Sequence, residues 1–82
     1  MQIEPLNDKL VKLAARYNLT KKLAKQMALF EENPHHPSLN TEKLKPKEFG
    51  LYSFRIDRKY RAIFHVLLTG DIQIIDINNH YQ

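Results

Sequence analysis

The stretch Tyr52-Ser53-Phe54-Arg55-Ile56-Asp57-Arg58-Lys59-Tyr60-Arg61-Ala62-Ile63-Phe64 decides the architecture. Apolar and polar residues alternate on both sides of Asp57-Arg58-Lys59, the pattern of two half-buried strands joined by a turn. The loop length follows from what each choice sets opposite what. A two-residue loop at Arg58-Lys59 puts Ile56 against Arg61 and Arg55 against Ala62, mixing apolar with charged. A three-residue loop over 57–59 pairs Ile56 with Tyr60, Arg55 with Arg61, Phe54 with Ala62 and Tyr52 with Phe64. One face is then wholly apolar, and the other carries Ser53, Arg55, Arg61, Ile63 and His65. This second register is the expected one. It sets two arginines directly opposite each other, which destabilises a sheet unless the side chains splay or an anion lies between them. Guanidinium groups match phosphate in a two-pronged way that ammonium groups do not. The plainer alternative pairs Arg55 with Asp57 or Glu42 and leaves no site.

Toward the C-terminus, Thr69-Gly70-Asp71 signals a second turn, and residues 72–81 read as a third strand. Its parity changes midway. Ile72 and Ile74 share one face while Ile75 and Ile77 share the other, which means burial on both faces or a bulge near Ile74-Ile75. The chain closes on Asn78-Asn79-His80-Tyr81-Gln82, and a His-Tyr pair is unusual where chain ends commonly fray into polar residues.

Toward the N-terminus, Leu6, Leu10, Leu13, Ala14 and Tyr17 recur at helical spacing, with Asn7 or Asp8 as the cap and Asn18 suited to the left-handed position after the helix. Thr20 is the expected cap of a second helix whose stripe is Leu23, Met27 and Phe30, ending near Asn33 because Pro34 disfavours helix before it. Residues 33–50 read as a connector. His35 and His36 are adjacent and have no carboxylate at ligand spacing, so no metal site is expected there. The expected fold is therefore α+β, an N-terminal helical hairpin packed on one face of a twisted antiparallel β-sheet, the other face left open.

Eighty-two residues make one domain, 1–82, and an apolar content of 43% suffices for its core. The absence of cysteine excludes a disulfide framework, a thiolate zinc site and a cysteine nucleophile. No apolar run approaches the roughly 20 residues of a membrane span, and the first residues lack the pattern of a signal peptide. A cytoplasmic location without membrane association is expected. The net charge of +4 is concentrated in residues 41–65, where seven Lys/Arg stand against three Asp/Glu, a distribution that attracts a polyanion.

Glu42-Lys43-Leu44-Lys45, Gly50-Leu51-Tyr52-Ser53-Phe54-Arg55-Ile56, Tyr60-Arg61-Ala62-Ile63-Phe64 and the terminal His80-Tyr81 together resemble the RelE/ParE toxin superfamily. Within it they are closest to the YoeB-type toxin–antitoxin endoribonucleases. The resemblance implies a RelE-like microbial ribonuclease fold and cleavage of messenger RNA in the ribosomal A site. It also implies a cognate antitoxin that holds the toxin inactive. By position, Glu42 matches the general base, Arg61 and Arg55 the strand arginines, Lys45 a basic neighbour, and His80 and Tyr81 the terminal acid and its aromatic partner. Arg58 adds to the substrate-binding surface. The family's opening strand is short or missing here, since only Gln2-Ile3-Glu4 precedes Pro5. The ParE branch, which acts on DNA gyrase, shares the fold and is not expected to need Glu42 or the terminal His-Tyr. A catalytically inactive relative that binds RNA or protein is the other alternative. The sequence leaves the oligomeric state open, a homodimer included.

These residues suit the chemistry. Cleaving RNA through its own 2′-hydroxyl needs a base for that hydroxyl, a cation at the phosphate and an acid for the leaving 5′-oxygen. Glu42, Arg61 and His80 have those properties, and Tyr81 offers a ring for stacking. No cofactor or metal is called for.

Overall fold

The computed structural model describes residues 1–79, so His80 and Tyr81 lie outside the described residues. Helix α1 spans Asp8–Arg16, and its cap is Asn7, whose side chain accepts from the Leu10 N–H at 2.8 Å. Asp8 instead places a negative charge in the first turn, where the helix dipole favours it. Asn18 takes the left-handed conformation at φ 59° and reverses the chain.

Helix α2 spans Thr20–Glu32. Thr20, expected as its cap, is its first helical residue, and the cap is Leu19, which offers no side-chain hydrogen bond. Leu19 is sealed in the core, and its carbonyl accepts from the Leu23 N–H at 2.7 Å. Burial of an apolar side chain, and not a hydroxyl, fixes where this helix starts.

The sheet has four antiparallel strands in the order β1-β2-β3-β4: β1 Glu42–Lys43, β2 Leu51–Arg55, β3 Tyr60–Val66 and β4 Ile72–Asn79. The three longer strands were expected. The two-residue β1 was not, because it lies in the segment read as a connector; it pairs Glu42 with Ser53 and Lys43 with Tyr52. Two residues carry too little pattern to be recognised as a strand.

The β2–β3 register is the three-residue-loop register, with Tyr52 opposite Phe64, Phe54 opposite Ala62 and Arg55 opposite Arg61. The turn closes because Asp57 Oδ1 accepts from the N–H groups of both Lys59 and Tyr60, each at 2.8 Å. The parity change in β4 is a bulge. Ile63 faces Asp76 and Phe64 faces Ile74, so Ile75 is the extra residue and points outward. Ile72, Ile74 and Ile77 are thereby all buried. Ahead of α1, Ile3 makes a single parallel bridge to Ile72, all that is present of an opening strand.

The core lies between the helices and one sheet face. Phe30 of α2 meets Phe54 and Phe64, with ring centroids 5.5 and 5.3 Å apart. Leu10, Leu23, Ile56 and the three buried isoleucines of β4 surround this cluster. One buried polar residue interrupts it. Gln26 of α2 donates to the Arg55 carbonyl at 2.8 Å and, at 3.4 Å, to that of Ser38. It ties the helix to the end of β2 from a position outside the apolar stripe of Leu23, Met27 and Phe30.

The second sheet face is not open as expected. Ser53, Arg61 and Ile63 are 0%, 6% and 9% exposed. The segment from Asn40 through β1 folds beside them and takes them out of water.

Gln26→Ala should lower stability by about 1–3 kcal/mol, because it strands a carbonyl at the end of β2. In thermal melting of a domain this size that is a fall of roughly 4–8 °C per kcal/mol. Asp57 gives a pH signature. Partial burial raises its pKa, but hydrogen bonds from the Lys59 and Tyr60 N–H groups and from Lys22 outweigh this and hold it below the usual carboxylate value. Its contribution is therefore present above the unfolded pKa of about 3.9 and lost as pH falls through the lower folded value. The difference in melting temperature between wild type and Asp57→Asn should be largest near neutrality and shrink below pH 4.

Candidate functional site

Ser53 of β2 and Arg61 of β3 lie on the second sheet face, two positions apart in the ladder register, and the Ser53 hydroxyl accepts from Arg61 Nε at 2.9 Å. Nη2 donates to the Asn40 carbonyl and, more weakly, to that of Ser53 at 3.4 Å. The same nitrogen lies 3.2 Å from Glu42 Oε2. Glu42 reaches it because β1 pairs Glu42 with Ser53. The remaining nitrogen, Nη1, is buried and makes no hydrogen bond among the described residues.

This guanidinium is held by four oxygens and still short of one. Burial lowers the Arg61 pKa, Glu42 raises it and Arg55 lowers it again, with a net downward shift. Arg61 thus feels the opposite charge of Glu42 and the like charge of Arg55 across the strand pair. Leaving a buried donor unpaired is costly.

Arg61 forms part of the floor of a groove of about 650 Å³, together with Ser53 and Ile63. Glu42, Leu44 and Lys45 line one side, and Asp76, Asn78 and Asn79 of β4 the other. The structure therefore brings three of the expected residues, Glu42, Lys45 and Arg61, into one groove. Arg55 stands opposite Arg61 and acts on it by charge, but does not line the groove. Arg58 is exposed in the β2–β3 turn and lies apart from it. The alternative pairings for Arg55 are not formed, since Glu42 pairs with Arg61 and Asp57 with Lys22 at 3.2 Å.

Sequence reasoning missed Asp76, Asn78 and the Asn40 carbonyl. The first two were within reach, because a bulge at Ile75 carries Asp76 and Asn78 to the face of Ile63 and Arg61. A backbone carbonyl brought in by a loop leaves no trace in side-chain pattern. Among the described residues no three His, Cys, Asp or Glu side chains gather as around a metal ion. The His36 ring instead accepts from the Ser38 N–H at 3.1 Å.

No family model and no curated protein sequence matches the chain. Solved structures do. A YoeB/ParE toxin from Agrobacterium tumefaciens superposes with a TM-score of 0.70 at 20% identity, covering 99% of this chain and 100% of that one. YafQ from E. coli strain BL21(DE3) gives 0.71 at 18% identity, over 98% of this chain and 91% of that one. YoeB from Staphylococcus aureus, in its heterotetrameric toxin–antitoxin complex with YefM, gives 0.66 at 24%, over 98% and 94%. The chain has the fold of these YoeB/ParE and YafQ structures over at least 98% of its length.

Arg61 is more structural than its place on the second face suggested. Arg61→Ala should cost about 2–4 kcal/mol, since it removes several charge-assisted hydrogen bonds and opens a void. Arg61→Lys, which keeps a charge near Glu42, should melt between the two. Equal melting temperatures for wild type and Arg61→Ala would show the clasp to be idle.

Proposed function

We propose that the protein is the toxin of a type II toxin–antitoxin pair and cleaves messenger RNA in the ribosomal A site, arresting translation. The observation that supports this most is the Arg61 guanidinium, buried in a groove beside Glu42 with one nitrogen unpaired. A phosphate over the groove floor, near this guanidinium and beside a carboxylate, is the arrangement that 2′-hydroxyl attack requires. Glu42 takes the proton of the 2′-hydroxyl, whose oxygen attacks phosphorus. Arg61, with Lys45 nearby and Arg55 reinforcing the positive field, stabilises the charge that builds on the phosphoryl oxygens. The bond from phosphorus to the 5′-oxygen breaks, and His80 donates the proton that this oxygen takes up. The products are a 2′,3′-cyclic phosphate and a 5′-hydroxyl. Asn79 lines the groove, and His80 and Tyr81 follow it directly in the chain. Tyr81 stacks on a base, and Arg58 contacts the RNA or its ribosomal surroundings. Each of these roles falls to a side chain of this protein, without a metal.

The protein partners in this reading are a cognate antitoxin, such as YefM is for Staphylococcus aureus YoeB, and a second copy of the chain, since that YoeB also forms a dimer. The concentration of positive charge in residues 41–65 favours an antitoxin with acidic side chains over the groove.

Glu42→Gln removes the base and also the counter-charge of Arg61, while the half-exposed side chain keeps nearly its shape. Single-turnover cleavage on programmed ribosomes, measured below the melting transition of both proteins, should fall by about 10²–10⁴, with a lower melting temperature as the sign of the lost ion pair. A chain ending at Asn79 should lose activity comparably. Intact RNA together with inhibition of DNA supercoiling by gyrase would replace this reading with the gyrase-directed one.

A further inference from the structure

As folded, Arg61 has no donor left to offer a ligand. Its Nε donates to the Ser53 hydroxyl, and its Nη2 serves the carbonyls of Asn40 and Ser53 and the carboxylate of Glu42. Its Nη1 is sealed from solvent, and the side chain as a whole is 7% exposed. Glu42 is engaged in the same contact, through Oε2 at 3.2 Å. A cation for a phosphate and a base for a hydroxyl must each face the substrate, and here they face each other.

What covers Arg61 is short and lightly held. Asn40 and Glu42 belong to the run 40–43, all four residues of which are exposed. On one side of it Leu39 is sealed in the core, and on the other the Leu44 N–H donates to the Leu51 carbonyl at 2.8 Å. Between these anchors stand a strand of two residues at the edge of the sheet and one hydrogen bond from the Thr41 hydroxyl to the Pro34 carbonyl at 3.3 Å. Asn40 itself has a left-handed backbone, φ 43°, and so marks a bend next to the fixed Leu39. Exposed side chains and few backbone bonds are the marks of a segment that opens locally at low cost.

We propose that residues 40–43 are a lid over Arg61, closed in the free protein and lifted when RNA enters the groove. Lifting it takes the Asn40 carbonyl and Glu42 away from Nη2, turns that edge of the guanidinium to a phosphate, and frees the Glu42 carboxylate for the 2′-hydroxyl. Ser53 lies on β2 and keeps hold of Nε, so the guanidinium stays oriented while its outer edge changes partner. The phosphate takes over from Glu42 as counter-charge, and this contact, made only in the open form, is what shifts the equilibrium. The inference rests on the RNA-cleaving reading for the identity of the ligand, but the lid is measured by binding, without cleavage.

The test pins the lid shut. Lys43 and Tyr52 face each other in the β1–β2 ladder, next to the hydrogen-bonded pair of Leu44 and Leu51. Theirs is therefore the closer, non-hydrogen-bonded kind of pair, which a disulfide can span, and the chain has no cysteine of its own. Wild type and the double variant Lys43→Cys/Tyr52→Cys are titrated with a short single-stranded 2′-O-methyl oligoribonucleotide, which lacks the attacking hydroxyl. The reduced variant should bind within about threefold of wild type, and the oxidised one about tenfold or more weaker, the size of one lost charge-assisted contact. In wild type, hydrogen exchange at the Leu44 N–H should quicken about tenfold or more on binding, while the β2–β3 ladder keeps its protection. Equal affinity of the oxidised and reduced variants, a Leu44 N–H equally protected with and without the oligonucleotide, or no binding by wild type at millimolar oligonucleotide each overturns the proposal. If the double variant does not fold, the Leu44 measurement on wild type decides alone. Binding that needs the lid open, in a protein that leaves ribosome-bound RNA intact, upholds the lid and discards the nuclease. Cleavage at the full rate by the oxidised variant does the reverse.

Discussion

The Asp57 carboxylate accepts from two successive backbone N–H groups, those of Lys59 and Tyr60, and the register this turn imposes on β2 and β3 is the constraint on which the rest of the molecule depends. Side chains alternate strictly along a strand, so a slip of one residue would turn Phe54 and Phe64 to the groove and Arg61 to the helices. The aromatic cluster around Phe30 would then have no partners, and the helical hairpin no surface to cover. Lys22 of α2 pairs with the same carboxylate, so the turn is also tied to the helix layer. The register thus fixes core and groove at once, on opposite faces of the same two strands.

Arg61 shows how closely the two faces are linked. Its guanidinium organises the second face by holding Ser53, the Asn40 carbonyl and Glu42, and so positions the short edge strand β1. A buried cation is tolerated only where hydrogen bonds and a counter-charge replace the water it has lost. Among the described residues that replacement stops one nitrogen short, and the like charge of Arg55 works against Glu42. Lysine, with a compact charge and no planar fork, would not hold all of these groups at once.

The β4 bulge solves a second conflict. Four isoleucines in a strand of eight residues do not fit a period of two, and without a correction one pair would face water. One extra residue at Ile75 returns Ile77 to the core and delivers Asp76 and Asn78 to the groove. Packing and site composition are settled by the same local irregularity, and Ile75 is left exposed beside the groove as its consequence.

What the sequence determined by itself was everything that depends on period and sign. The alternation around residues 57–59 specified the hairpin register, the helical stripes specified the hairpin of helices, and the parity break at Ile74-Ile75 marked the bulge. The charge in residues 41–65 marked the basic side, and Glu42, Lys45 and Arg61, singled out in the sequence, line one groove. What only the tertiary structure decided was each contact made by a backbone group or by a segment too short to carry a period. These include the pairing of β1 with β2, the Asn40 carbonyl over Arg61, the Gln26 amide at the end of β2 and the start of α2 at Leu19. They turned an expected open face into a half-covered groove and an exposed arginine into a buried one. Periodicity reports which way a side chain points, but whether water reaches it depends on what the rest of the chain lays over it.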